Sequence, residues 1–168
     1  TSGDGEMTRP PNEQLSPDSG NFVSADFGGE DFKFLVIKHT DIGRDYYGGA
    51  FIDAESLNGG KINDGVFERK HQDEQKYNVD ITQRVEVNGD PASLIQQLIM
   101  AGDINFDVIY GWGYKLGACV TENFFADFYN LTNCNYEAEY WSPSAIEDLT
   151  VADRLYLSIN DISMNKVD

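Results

Sequence analysis

The sequence predicts an α/β protein with an open, mainly parallel sheet and flanking helices. Three observations carry that expectation. Apolar, strand-like runs alternate with segments of helical period from Asp31 to Tyr110, and an alternating order gives parallel pairing with right-handed crossovers. Phe32-Lys33-Phe34-Leu35-Val36-Ile37 is nearly continuous in apolar side chains, as in strands buried on both faces. The chain has 168 residues, 40% of them hydrophobic and 12% aromatic, enough for one core at this length.

Residues 1–30 read as a flexible tether. They hold Pro10, Pro11 and Pro17, several glycines and few large apolar side chains, so burial cannot offset the entropy of ordering them. Folded structure is expected from Asp31, with the first strand over Phe32–Ile37. Asp41 to Gly49, rich in Gly and Tyr, has no helical period and is a loop. Leu57-Asn58-Gly59-Gly60 is a second break, and Ile62 to Tyr77 forms a polar surface helix. Ile62, Val66 and Tyr77 lie near one face of it, leaving Glu68, Arg69, Lys70, Asp73, Glu74 and Lys76 for water. Asn78 ends it, and Val79, Ile81 and Val85 mark a second strand.

Asn88-Gly89-Asp90-Pro91 predicts a turn, then a helix with Asp90 as N-cap and Pro91 at the first position. Leu94, Ile95, Leu98 and Ile99 keep helical spacing until Gly102 stops the helix. Phe106 to Tyr110 is a third strand. The turn Gly111-Trp112-Gly113 leads into a short segment from Tyr114 to Val120. An aromatic stretch (Phe124, Phe125, Phe128) follows, then a helix opening at Ser142-Pro143 and a last strand over Leu155-Tyr156-Leu157.

With 29 acidic and 12 basic side chains the formal net charge is −17. Nucleic acid is an improbable partner for such a chain, because phosphate binding needs clustered Lys and Arg. A basic attachment to a membrane surface fails for the same reason, and no run approaches the roughly 20 apolar residues of a membrane span. Cys119 and Cys134 lack metal-ligand spacing, and such low cysteine usage favours free thiols. The chain opens at Thr1 without Met or an apolar leader, so any signal segment has been removed or never existed.

In open parallel sheets, ligands bind beyond the carboxyl ends of the strands. That rule selects Asp41 to Gly49, Glu86 to Asp90 and Gly111 to Tyr114. Tyr46, Tyr47, Tyr110, Trp112 and Tyr114 fall on these loops, and such rings suit stacking on sugars or other amphipathic ligands; core packing accounts equally well for any one of them. Gly111 to Gly117 approximates a dinucleotide fingerprint, but its third glycine falls one place late and Trp112 and Tyr114 crowd it. A turn presenting aromatics is the better account. No nucleophile elbow, phosphate loop or His-Glu-x-x-His pair occurs. Asn63-Asp64-Gly65 lacks the alternating acids of a calcium loop and reads as the start of a helix.

The runs Ile62 to Arg69 and Glu74 to Val79 resemble the first helix and second strand of bacterial extracellular solute-binding proteins, the ligand-capturing lipoproteins of ABC importers. Three further pieces match in order: Leu94 to Asp103 with Phe106 to Ile109, Phe125 to Phe128 leading to Trp141, and Leu155 to Ser163. The resemblance spans residues 31–168. It implies a periplasmic-binding-protein-like fold of two lobes joined by a hinge, anchored outside the cytoplasm through an N-terminal lipidated cysteine. The sequence departs from the family in having no starting Cys and in placing Asp73 where an apolar residue is usual. It stops at Asp168, so residues 31–168 correspond to part of the N-terminal lobe.

The expected function is therefore capture of an extracellular solute, with a sugar favoured, for an ABC permease. No catalysis, cofactor or metal is expected. Asp41, Arg44, Asp90 and Asn160 join Tyr46, Tyr47, Tyr110, Trp112 and Tyr114 as candidate ligand contacts. An incomplete lobe leaves a sheet edge uncovered, so self-association is expected. The alternatives are a nucleotide-binding α/β enzyme domain using Gly111 to Gly117, and a tethered cell-surface interaction domain.

Overall fold

A computed structural model describes residues 25–38, 52–111, 113–131, 134–136, 138 and 141–159. Strand β1 spans Glu30–Lys38 and helix α1 Lys61–Tyr77. Strand β2 spans Val79–Val87, helix α2 Pro91–Ala101, strand β3 Val108–Tyr110 and helix α3 Gly113–Val120. A 3₁₀ turn at Phe128–Asn130 and helix α4 at Pro143–Leu149 lead to short strands β4 (Thr150–Val151) and β5 (Arg154–Leu155).

The first three strands form a parallel sheet in the order β2-β1-β3. The α/β class and parallel pairing expected from the alternation are thus present. β1 sits in the centre because it is the strand apolar on both faces. Leu35 and Ile37 point into a cluster with Ile95, Leu98, Leu116 and Cys119, supplied by α2 and α3. Phe34 and Val36 point the other way, onto Ile52, with Ile81 and Tyr110 beside them. Burying side chains on both faces of one strand is what a continuous apolar run is suited to.

Local chemistry sets the helix ends. Asp90 caps α2 through the Ser93 amide at 3.4 Å, and Pro91 opens the helix. Gly102 ends it in the left-handed region at φ 71°, returning its amide to Ile99 and Leu98, the geometry that glycine adopts without a Cβ penalty. Asn78 does the same for α1 at φ 49°, a conformation Asn tolerates better than most residues. Ser142 caps α4 through the Ala145 amide, with Pro143 first in the helix.

Several expectations are corrected. The expected boundary at residue 30 falls inside β1. Just ahead of it, Phe27 and Gly29 donate to the Tyr77 and Asn78 carbonyls, and Asp26 accepts from Gly28 and Asn78. Residues assigned to the tether on composition therefore clamp the α1–β2 junction. In α1, Val66 is fully buried, but Ile62 is 50% exposed, so the apolar stripe is narrower than its spacing implies. Lys70 is not left to water, since it lies 2.7 Å from Asp53 and 3.6 Å from Glu74. β3 is three residues rather than five. At its start, the Lys33 backbone amide donates to the Asp107 carboxylate while the Asp107 amide donates to the Lys33 carbonyl, so a side-chain acceptor takes the place of a backbone one.

The last strand also differs. Leu155 belongs to a two-residue antiparallel hairpin with β4, separate from the main sheet. Asp127 anchors it, accepting from the Tyr129 and Leu155 amides at 3.1 Å each. Leu157, beyond it, packs with Phe124 and Phe125 against the Leu35 cluster. Neither Cys119 nor Cys134 is joined in a disulfide.

Candidate functional site

Parallel pairing places Lys38, Val87 and Tyr110 at one edge, the carboxyl ends of all three strands. The Asn88 amide donates to the Lys38 carbonyl at 2.8 Å, and the Asn88 side chain accepts from the Asp90 amide at 2.7 Å. This turn delivers Asp90 to the opening of α2. On the other side, Gly111 follows β3 and lies against Ile37 and Leu116, and α3 begins two residues later. Two helices thus start at the edge where the rule for parallel sheets locates ligands.

Of the nine expected contact residues, three are described. Asp90 is exposed, and its negative charge reaches Cys119. Burial pushes the Cys119 thiol up, and the charges of Asp90 and Glu122 add to it, so the thiol is protonated and inert at neutral pH. Tyr110 is half-buried among Phe34, Val36 and Ile52; its ring is committed mainly to the core. Tyr114, in the first turn of α3, is 72% exposed, with the Lys115 ammonium 5.7 Å from its ring centroid. Asp41, Arg44, Tyr46, Tyr47, Trp112 and Asn160 lie outside the described residues.

The glycines of the candidate nucleotide segment do not play the parts a dinucleotide fingerprint gives them. In that motif the third glycine permits close packing of helix on strand. A Cβ added at Gly113 or Gly117 would meet nothing within 4 Å, and one at Gly111 would make ordinary contacts at 3.6 Å. No backbone approach at these positions requires glycine.

Sequence reasoning missed a concavity away from the strand tips. Asp53, Ala54, Glu55, Phe67, Lys70, His71 and Glu74 line an open cleft of about 270 Å³ beside α1. Phe67 and His71 stack at 6.0 Å, and Gln75 bonds the His71 ring. Burial alone would lower the Lys70 pKa, but the hydrogen bond and charge of Asp53, with those of Glu74, leave it raised. Glu74 also accepts from the Ile81 amide at 3.0 Å. The only signal in the sequence was the i,i+4 pair Lys70 and Glu74; Asp53 lies 17 residues away. These charges are already paired with one another, which makes the cleft a brace between α1 and the sheet. A hollow of about 10 Å³ lies between α4 and the segment after β5, with Ser158 in its lining. It holds at most one water. Among the described residues, no group of three or more His, Cys, Asp or Glu side chains is placed to hold a metal ion, and no helix is long and apolar enough to cross a membrane.

Fold and edge together define an α/β protein with a small parallel sheet whose three strands end at one side. Compared with family models, with curated proteins and with solved structures, the chain gave no match in any of the three.

Proposed function

We propose that the protein is a binding module, not an enzyme, and that it holds a small solute at the carboxyl edge of the β2-β1-β3 sheet. In this reading it forms part of the N-terminal lobe of a two-lobed solute-binding protein. That protein is lipid-anchored outside the cytoplasm and hands its solute to an ABC permease. Closure of facing lobes would bury the ligand and signal occupancy.

One observation carries the reading. The three parallel strands end together, and α2 and α3 both open at that edge. Tyr114 stands exposed there, with Asp90 on the neighbouring helix opening. An exposed aromatic ring at an edge that also carries a carboxylate suits a sugar, whose apolar ring face stacks while its hydroxyls donate. Gly111, Gly113 and Gly117, which have room for side chains, give no support to a nucleotide.

Titration with a panel of mono- and oligosaccharides, followed by amide chemical shifts, tests this. Shifts confined to residues 88–91 and 110–116 are expected, with weak affinity because one lobe buries only part of a ligand. Tyr114→Ala should reduce that affinity by roughly tenfold, the scale of one lost aromatic contact. A dinucleotide that raises the melting temperature by several degrees, with no response to any sugar, would overturn the reading.

A further inference from the structure

The geometry points to a second copy of this chain as the partner of the outer edge of β2. Among the described residues no strand lies outside β2, and β1 pairs with its other side along its whole length. The amide of Ile81 points outward, because it donates to the Glu74 carboxylate rather than to β1. In a strand the outward-facing groups recur every second residue, so those of Gln83, Val85 and Val87 face the same way. Glu74 therefore closes the edge at Ile81 and leaves the segment from Gln83 to Val87 open. That open segment carries two exposed apolar side chains, Val85 at 43% and Val87 at 61%.

An open, apolar edge strand is a template for another strand, and this one is complementary to itself. Antiparallel pairing about a two-fold axis at Val85 makes Val85 a hydrogen-bonded pair with its own copy, exchanging both N–H···O bonds. Gln83 then stands opposite Val87, and Arg84 opposite Glu86, twice over. Arg84 and Glu86 already project to one side of the strand, 2.9 Å apart. Arg84 also donates to Asp103 of its own chain at 2.8 Å, so in the pair each Arg84 stands between that carboxylate and the Glu86 carboxylates of both copies. Opposite charges directly across two strands stabilise, and like charges destabilise. The pairing stops short of Ile81, so the Glu74 bond survives. A net charge of −17 on each copy opposes approach, so the dimer should tighten as salt screens it. The Debye length falls from about 30 Å at 0.01 M to about 3 Å at 1 M salt.

Sedimentation equilibrium across that salt range is the first measurement, and a concentration-dependent dimer that strengthens with salt is expected. Val85→Pro removes the outward N–H, which no acceptor among the described residues takes up. It should keep the parent's circular dichroism and weaken the dimer about tenfold or more. Arg84→Glu and Glu86→Arg should each weaken self-association, while an equimolar mixture of the two restores a dimer, because only the mixed pair sets unlike charges opposite each other. A strict monomer at every concentration and salt, or a dimer that Val85→Pro leaves unchanged, would sink the proposal, as would failure of the mixture to recover. Self-pairing does not rest on the solute reading: a parent chain that never dimerises yet shows the sugar shifts at the carboxyl edge refutes self-pairing alone.

Discussion

The two faces of the sheet are built differently. On one, Leu35 and Ile37 meet Ile95, Leu98, Leu116 and Cys119, all buried and without charge. On the other, Phe34, Val36 and Ile52 form a smaller cluster. The helix tied to that second side, α1, buries only Val66 and is braced by Lys70 between Asp53 and Glu74. The first face draws its stability chiefly from apolar area and van der Waals packing, which persist across pH and salt; its ion pairs, Arg84 with Asp103 and Glu86, sit half-exposed at the rim. The second leans on a more enclosed charge pair, which is sensitive to both. One strand serves both because its side chains alternate.

Four substitutions would break or sharpen this contrast. Leu35→Ala, at a fully buried position in the larger cluster, should cost about 3 kcal/mol of unfolding free energy by urea titration. Val66→Ala removes the one buried side chain of α1 and should cost about 2 kcal/mol, with the loss confined in hydrogen exchange to α1 and β2. A loss equal to that of Leu35→Ala, spread over every element, would erase the distinction between the faces. Asp90→Ala removes the cap of α2 and should cost about 1 kcal/mol or less, given the long 3.4 Å bond.

Lys70→Met should have the smallest effect at neutral pH, under about 1 kcal/mol, because the pair is partly solvated. Its signature is pH. The folded-state pKa of Lys70 is raised above 10.5, so its contribution is complete below that value and is lost as pH rises through the folded pKa. The parent should therefore lose stability on the alkaline side, and Lys70→Met should flatten that limb. Parallel alkaline limbs for the two proteins would show that the brace carries no stability.

Much of the fold was legible in local signals. Asp90-Pro91, Gly102, Asn78 and Ser142-Pro143 each act within a few residues, so the ends of α1, α2 and α4 follow from short-range chemistry. β1 and β2 were legible from apolar runs. The shortening of β3 was not, because it depends on Asp107 meeting Lys33, 74 residues away. Nor was the fate of Leu155, since Asp127 holds its amide from 28 residues off. At the candidate site, Asp90 and Tyr114 stand where the strand-tip rule put them. Tyr110 instead turns its ring into the apolar layer, and no periodicity distinguishes a loop tyrosine from a core one.

By itself the sequence determined which segments are helix or strand, where most of them end, and that the strands run parallel. These are consequences of backbone sterics, capping and alternation, all settled within a few residues. Only the tertiary structure decided that β1 takes the centre, that Lys70 finds Asp53, and that β2, outermost among the described strands, leaves Val85 and Val87 exposed. Those outcomes depend on which distant surfaces exclude water from one another, and residues far apart in the chain acquire that relation only when it folds.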